Sequence, residues 1–476
     1  MYTYLAKLLK LLSSTNSDLE LIPLGNSLGL DLSAFAELRA SQEDKFVDII
    51  KEKMFKKLKS NQEKILVKTN TIYSGSIDFM VSDDPSGKKI FLLETNGGSH
   101  RGISILTKKQ QKLIYNGYLE AINQSIVKNE RTDNKVLVLI GIPVNDALIH
   151  EKAIMIDYFR KILELKGLLI KIVDVDNFNI KFKAQIIILI ADYNQLSMSL
   201  SFSEDWVKFN TERVSVLIGD GITRRIVSEK FNKEIDEGFK NIKTIIVNPI
   251  FKITDDKSLT YLAGYFGKNK LKKYNLNYLI FMKAFNEKDL IEKLLYLTKK
   301  YKKPFVIKPN GGSGGAGVIP ISEHMGLNDI ERKIFKSKTE FYAKFMKNRN
   351  PFPYTIQEKA DFGLIDWRGG KHTYDLRIYL TQSSGRIIPV GGLVRIARQR
   401  YTDGVDKNEF VVNLSGFEGQ IEVDRGIGFS SKNSKLLKLK IDDFVNLFSI
   451  SSIIFANIAN NYKEIINFSE WDKEIY

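Results

Sequence analysis

Between Phe305 and Val318 the chain reads Phe-Val-Ile-Lys-Pro-Asn-Gly-Gly-Ser-Gly-Gly-Ala-Gly-Val, with five glycines in the seven positions 311–317. Few architectures can use such a stretch. Glycine loses more backbone freedom on ordering than any other residue, so a cluster is kept where the chain must take positive φ or where something must approach the backbone. Apolar runs at 305–308 and 318–321 flank the loop directly, so it joins two strands rather than two domains. Amides converging without Cβ obstruction make an anion cradle. Lys308, at the end of the first strand, adds a point charge suited to phosphate. The candidate phosphate-binding set is therefore Lys308, Gly311, Gly312, Ser313, Gly314 and Gly315.

Three familiar phosphate loops are excluded. Gly312 to Gly317 spells G-x-G-x-x-G, but a dinucleotide fingerprint opens a helix, and here a strand pattern follows. No Gly-Lys-Ser or Gly-Lys-Thr is present, which removes the Walker loop. Asp361-Phe362-Gly363 resembles a kinase triplet, yet Lys308 precedes its glycine loop and no His-Arg-Asp segment lies between.

The remaining chain divides into blocks. Its 476 residues predict about three domains at roughly 150 residues each. Residues 1 to about 70 read as helical, ending in a basic segment at 51–68. Apolar runs at 76–81 and 90–94 around Asp83-Asp84-Pro85-Ser86-Gly87 predict a hairpin, followed by a helix at 104–128. Strands expected at 136–142, 168–175, 185–191, 214–219 and 244–247, with a helix at 147–166, predict a parallel sheet. This Rossmann-like block lacks G-x-G-x-x-G after its first strand and is not read as a dinucleotide domain. Beyond 250 we expect a helix at 287–300, further strands at 354–357, 376–381, 387–394 and 410–414, and a helical tail from Ser434. The expected fold class is mixed α/β (α+β), in units 1–130, 131–250, 251–430 and 431–476.

Composition narrows the chemistry. There is no Cys, so disulfides, thiol catalysis and thiolate metal sites are excluded. The four His (His100, His150, His324, His372) show no metal spacing. Lys+Arg 72 against Asp+Glu 56 leaves +16, which favours anionic partners, although Lys, Asn and Ile are all abundant and a biased composition gives the same excess. No run approaches the roughly 18 apolar residues of a membrane span. A cytoplasmic protein without a membrane partner is the default expectation.

The lysine-tipped strand, glycine loop and returning strand resemble the phosphate lid of the ATP-grasp superfamily. Gln357-Glu358-Lys359-Ala360 resembles that superfamily's hinge, whose backbone and Glu bind adenine. Asp375-Leu376-Arg377 resembles its Asp-x-Arg strand. Arg395 takes the place of an arginine that faces the transferred phosphoryl group, and Asn413-Leu414-Ser415-Gly416 resembles the Asn-rich loop after it. The superfamily closes with an Asp and then Glu-x-Asn, which nothing after Asn413 supplies; Glu422-Val423-Asp424 lacks the Asn. The motif stands at the other end, as Asp78 and Glu94-Thr95-Asn96. On a strand Glu94 and Asn96 point to one face. An order with the metal motif first looks like circularly permuted members such as eukaryotic glutathione synthetase, glutathionylspermidine synthetase and peptide ligases with a pre-ATP-grasp domain. The resemblance covers roughly 75–102 and 250–420. It departs from eukaryotic glutathione synthetase in having no Glu within the lid. The superfamily's other ATP lysine is left among Lys257, Lys268, Lys270, Lys272 and Lys273.

The resemblance implies an ADP-forming ligase that joins a carboxylate to an amine through an acyl phosphate, using ATP and Mg²⁺. It implies Asp78, Glu94 and Asn96 as metal ligands and Gln357, Glu358 and Ala360 as nucleotide contacts. Arg395, Arg377 and Lys308 would be the catalytic charges. The turn Gly98, Ser99, His100 and Arg101, with Asn413, would hold substrate, Arg101 forking an acid group. Partners would be small carboxylates and amines, such as amino acids or peptides. A carrier protein or peptide end as acceptor, and a basic nucleic-acid-binding protein, are the alternatives. Oligomeric state stays open.

Overall fold

The structure, a computed structural model, describes residues 12, 33–67, 71–85, 87–97, 102–128, 135–143, 149–219, 221–312, 314–345, 349–404, 406–414 and 422–476. Its largest sheet draws on both ends of the chain. The order is Leu276–Asn277, Gly87–Asn96, Ser74–Asp84, Gly370–Ser383, Arg386–Ile396 and Gly426–Gly428, with Leu364–Trp367 also on the 370–383 strand. Apart from the parallel 276–277 edge, every pairing is antiparallel. The expected hairpin at 76–94 is present and longer than its apolar runs.

Period-two alternation gives this sheet two different faces. Ile77, Phe79 and Val81 face helices Asp44–Ser60 and Ile441–Asn460, meeting Met54, Phe444, Phe448 and Phe455. Each such side chain contributes about 1.5–3 kcal/mol when fully buried. Gly75 is required here, because a Cβ would collide with the Phe455 ring. Ser74, Ser76 and Asp78 take the opposite face. One sequence expectation is amended: Ile441–Asn460 is long and apolar enough to cross a membrane by length and composition, but 78% of its apolar window is buried inside the protein. Its buried Ser449 and Ser451 return their hydroxyls to the helix's own carbonyls at 2.8 and 2.7 Å, which lets them lie in the core.

The second sheet is wholly parallel, in the order Ile245–Ile246, Val216–Ile218, Val136–Ile142, Ile186–Asp192 and Ile170–Asp174. Its central strands, VLVLIGI and IIILIAD, are nearly continuous apolar runs because both faces are covered. Counting from its first strand the spatial order is 2-3-1-4-5, so the second and third strands are exchanged relative to the Rossmann order. A three-stranded meander, Leu200–Ser203, Trp206–Phe209 and Glu212–Arg213, was not expected.

The third unit is a four-stranded sheet, Phe281–Ala284, Tyr354–Glu358, Phe305–Pro309 and Ile319–Ile321, backed by helices Glu287–Tyr301 and Leu327–Phe345. Asn286 caps the first helix, accepting from the Asp289 amide at 3.0 Å. The expected strand at 410–414 does not form. Glu409 turns inward to accept from the amides of Thr402 and Gly404 at 2.8 and 2.9 Å, and the chain curls through Val411 N–H donating to the Lys407 carbonyl.

Candidate active site

Register puts the charged residues of the large sheet on one face. Asp78 lies opposite Glu94 on one side and Arg377 on the other, Ser76 lies opposite Asn96, and Asp375 lies opposite Arg395. Directly opposed residues of an antiparallel ladder share a face and approach closely. Arg377 donates to Asp78 through Nε and Nη2, both at 2.7 Å. Arg395 donates through Nη2 to Asp78 Oδ2 at 2.7 Å, and through Nε and Nη2 to Asp375, the Nε bond at 2.8 Å. Burial would push Asp78 up, but the two guanidinium groups outweigh it and hold its carboxyl well below the usual carboxylate range. Asp375 moves the other way: burial raises it, and the charge of Asp78 adds to that against the pull of Arg395.

In this structure the carboxylate of Asp78, expected as a metal ligand, is engaged by arginines. Both of its oxygens accept from guanidinium groups, and the neighbouring Glu94 lies 3.9 Å from Arg377 Nη2 and 3.6 Å from Lys257 Nζ. Arg395 is likewise tied to Asp375 and Asp78 through Nε and Nη2. Among the described residues the Nη1 edges of Arg377 and Arg395 carry no hydrogen bond.

The small sheet meets this face through helix Lys257–Phe266, whose N-cap is Asp256, accepting from the Ser258 amide at 2.9 Å. Lys257 Nζ lies 3.6 Å from Glu94 Oε2 and 3.3 Å from the Gly312 carbonyl. Lys308 Nζ donates to Tyr261 Oη and to Gln357 Oε1, both at 2.7 Å, and Tyr261 donates to the Leu93 carbonyl at 2.5 Å. The hairpin that carries Glu94 and the strand that carries Lys308 therefore close on one cleft. Burial lowers the Lys308 pKa to about 7; Glu94 opposes this and Lys257 adds to it. Gly311, Gly314, Gly315 and Gly317 all take positive φ. At Gly317, φ is +75° and a Cβ would lie 2.9 Å from the Ser337 carbonyl oxygen, so glycine is required.

Beside Gln357 is an apolar cluster of Met80, Phe91 and Ala360, with Leu93, Leu279 and Phe362 packed on it. Phe362 also stacks on Phe410 at 5.5 Å, which gives the kinase-like triplet a packing role. Glu358 does not point its carboxylate into the cleft: it accepts from Lys303 and, at 3.3 Å, from the Ile280 amide. Asn413 sits by Arg425, whose Nη2 donates to its carbonyl at 2.6 Å. Gly98, Ser99, His100, Arg101 and Ser313 lie outside the described residues. The segment just after that turn is held by Glu151, which accepts from Gly102 N at 3.1 Å, Ser104 N at 2.8 Å and Ser104 Oγ at 2.6 Å.

Among the described residues no group of three or more His, Asp or Glu side chains is arranged for a metal ion. Glu94 and Asn96, two positions apart on one strand face, remain. The Asn96 amide nitrogen is buried without a partner among the described residues, and so is the Asn310 side-chain oxygen at the start of the glycine loop. An unpaired donor at Asn96 and an unpaired acceptor at Asn310 fit a site completed by a hydrogen-bonding ligand; the Asn96 donor itself is not a metal ligand. A carboxylate and an amide oxygen suit Mg²⁺, which takes few protein ligands and fills its shell with phosphate and water.

No family model and no curated protein matches the chain. Among solved structures it is similar to a glutathione synthetase-like effector from Globodera pallida in its apo form, at 12% identity and TM-score 0.38, covering 76% of this chain and 81% of that one. It is also similar to D-alanyl-alanine synthetase A from Vibrio cholerae O1 biovar eltor, at 8% identity and TM-score 0.32, covering 64% and 78%. Likenesses this distant decide neither fold nor activity.

Proposed function

We propose that the chain is an ATP-grasp-type ligase, ADP-forming, which joins a carboxylate to an amine. One observation carries the reading: Lys257, Lys308 and Glu94, from three separate stretches of sequence, converge with the glycine loop on one cleft that has an apolar wall beside it. In the reaction a substrate carboxylate oxygen takes the γ-phosphoryl group of ATP and ADP leaves. An amine then attacks the acyl carbon, loses its proton, and inorganic phosphate departs.

Lys257 and Lys308 would neutralise phosphate oxygens, and the glycine loop would close over them and exclude water, although the amides of Gly311, Gly312 and Gly317 already donate to Asp255, Pro309 and Glu340. Met80, Phe91 and Ala360 would wall the base, with the hinge at Gln357 beside it. Glu94 and Asn96 would hold Mg²⁺, which would supply charge neutralisation for the phosphates. The Nη1 edges of Arg377 and Arg395, fixed by Asp78 and Asp375, would offer preorganised donors to the acyl oxygen. The turn Gly98 to Arg101 would take the acid substrate. The chain order, with the Glu94 hairpin before the lid yet paired in the sheet to 370–383, supports a permuted arrangement.

Release of ADP, screened with Mg²⁺, ATP and pools of amino acids and peptides, tests the proposal. We expect release that needs both an acid and an amine. No nucleotide binding and no release in any pool would sink it. Glu94→Gln should lower turnover on the order of 10²–10³-fold, as single charge-stabilising groups do, while leaving the melting temperature within a few degrees; wild-type turnover at every Mg²⁺ concentration would remove Glu94 from the metal role.

Nucleotide binding should also take up a proton. Lys308 is half deprotonated near pH 7 in the free protein, and a triphosphate favours its charged form. Uptake should be about half a proton at pH 7 and approach one near pH 8.5. Calorimetric titration in two buffers of different ionisation enthalpy measures it; identical heats in both buffers at pH 8.5 would refute the assignment.

A further inference from the structure

The cleft face of the small sheet carries another lysine. Lys283 pairs with Thr355, and Thr355 with Lys308, so the three lie in one cross-strand row. Lys283 is 9% exposed, and its ammonium sits 2.7 Å from Asp256 Oδ2. The other Asp256 oxygen caps the helix that begins at Lys257 and carries Tyr261. Over Lys283 lies the Trp471 ring, its centroid 4.8 Å from Nζ.

Trp471 belongs to a segment that touches both halves of the cleft. On the body side Phe468 packs on Phe266 at 6.3 Å, and Lys268 donates to the Tyr476 carbonyl. On the small-sheet side Ile475 pairs with Phe281 through two backbone bonds of 2.9 and 3.0 Å, and Glu474 accepts from Tyr301 Oη at 2.9 Å and from Lys300. Trp471 itself is fixed by its indole N–H, which donates to the Phe468 carbonyl at 2.8 Å.

We infer that segment 467–476 is a strap across the cleft's two halves, and that Trp471 and Lys283 are positioning residues for the nucleotide, setting the start of the Lys257 helix through Asp256. The inference rests on the nucleotide site proposed above. The physical chain is short. A buried ammonium–carboxylate pair is strong only while water is kept out, and Trp471 provides that cover and a cation–π contact. Without Lys283, Asp256 would hold a buried charge with no counter-ion and would turn toward water, releasing the cap. Lys257 is the next residue, and Tyr261, the partner of Lys308, follows one turn later. Strain on the strap would then reach both phosphate lysines although neither touches it.

The test compares the full chain with Trp471→Ala, Lys283→Met and Lys283→Arg, by hydrogen exchange and by calorimetric titration with MgADP. In Trp471→Ala and Lys283→Met the amides of 257–261 should exchange at least about tenfold faster, while 136–142 in the parallel sheet is unchanged. The MgADP dissociation constant should rise about 10–100-fold, and Lys283→Arg, which keeps the charge, should recover most of it. Unchanged exchange at 257–261, or acceleration that spreads to 136–142, overturns the positioning role. Absence of MgADP binding in the wild type overturns the nucleotide reading itself; normal wild-type binding with unaltered binding in both variants overturns this inference alone.

Discussion

Lys308→Met should lose turnover by on the order of 10²–10³ and yet melt at a higher temperature than the wild type. The two effects have one cause. Lys308 ends its strand among Tyr261, Gln357 and the Leu93 carbonyl, where its ammonium is poorly solvated and its pKa is lowered to about 7. On the proposed reading a triphosphate would supply counter-charge; in the free protein Glu94 offsets the burial only in part. Folding the free chain therefore either buries a cation or removes its proton. The sign follows from linkage. Between about pH 7 and the ordinary lysine range the unfolded chain binds more protons than the folded one, so wild-type stability rises with pH across that window. Methionine has similar length and no charge, so Lys308→Met removes that slope. Its gain in melting temperature should be largest at pH 7 and below, and should shrink toward pH 10. Thermal melts of both proteins from pH 6 to 10, without nucleotide, measure it. A variant that melts lower than wild type at pH 7 would mean that Lys308 is a structural residue rather than a strained functional one.

How far the sequence disclosed this arrangement depends on where the information sits. The glycine loop was legible because five glycines are costly to order and a lysine-ended strand precedes them, and four of those glycines do take positive φ. Glu94 and Asn96 were legible from the period of two along a strand. The surroundings of Asp78 were not legible because they are set by strands about 300 residues away: local pattern shows a carboxylate in a strand but not that two arginines lie across from it. That Lys257, of the five lysines, follows the Asp256 cap and approaches Glu94 is not something spacing reveals. Tyr261 and Gln357 gave no prior sign of holding Lys308, and Glu151 sits in an ordinary helical pattern. The strand expected at 410–414 failed for a similar reason, since the inward turn of Glu409 depends on amides seven and five residues earlier. The helices at 108–128, 149–165 and 287–301 and the parallel strands were read well because local periodicity and burial agree there, while much of the helical block expected over 1–70 lies outside the described residues.

Asp78→Ala should destabilise the protein by about 3–5 kcal/mol, the range for removing one partner of a buried ion pair. Asp78 is fully buried, accepts three guanidinium hydrogen bonds, and stands between Arg377 and Arg395, which without it would face each other with Asp375 on Arg395 and Glu94 3.9 Å from Arg377. The loss should appear as a lower denaturant midpoint with an unchanged slope. The pH dependence gives a second reading. The folded-state pKa of Asp78 is depressed, so its stabilising contribution is present above the ordinary aspartate pKa near 4 and is lost only as pH falls through the lower folded value. Above pH 5 the gap between wild type and Asp78→Ala should therefore be flat; it should narrow below pH 4. A metal-ligand role predicts the opposite pattern, with stability near wild type in the absence of Mg²⁺ and a defect confined to Mg²⁺-dependent turnover. Replacing Arg377 together with Asp78 separates the two further. If the charge network is what Asp78 serves, Asp78→Leu with Arg377→Leu should be more stable than Asp78→Ala alone, because fewer buried charges are left without a partner.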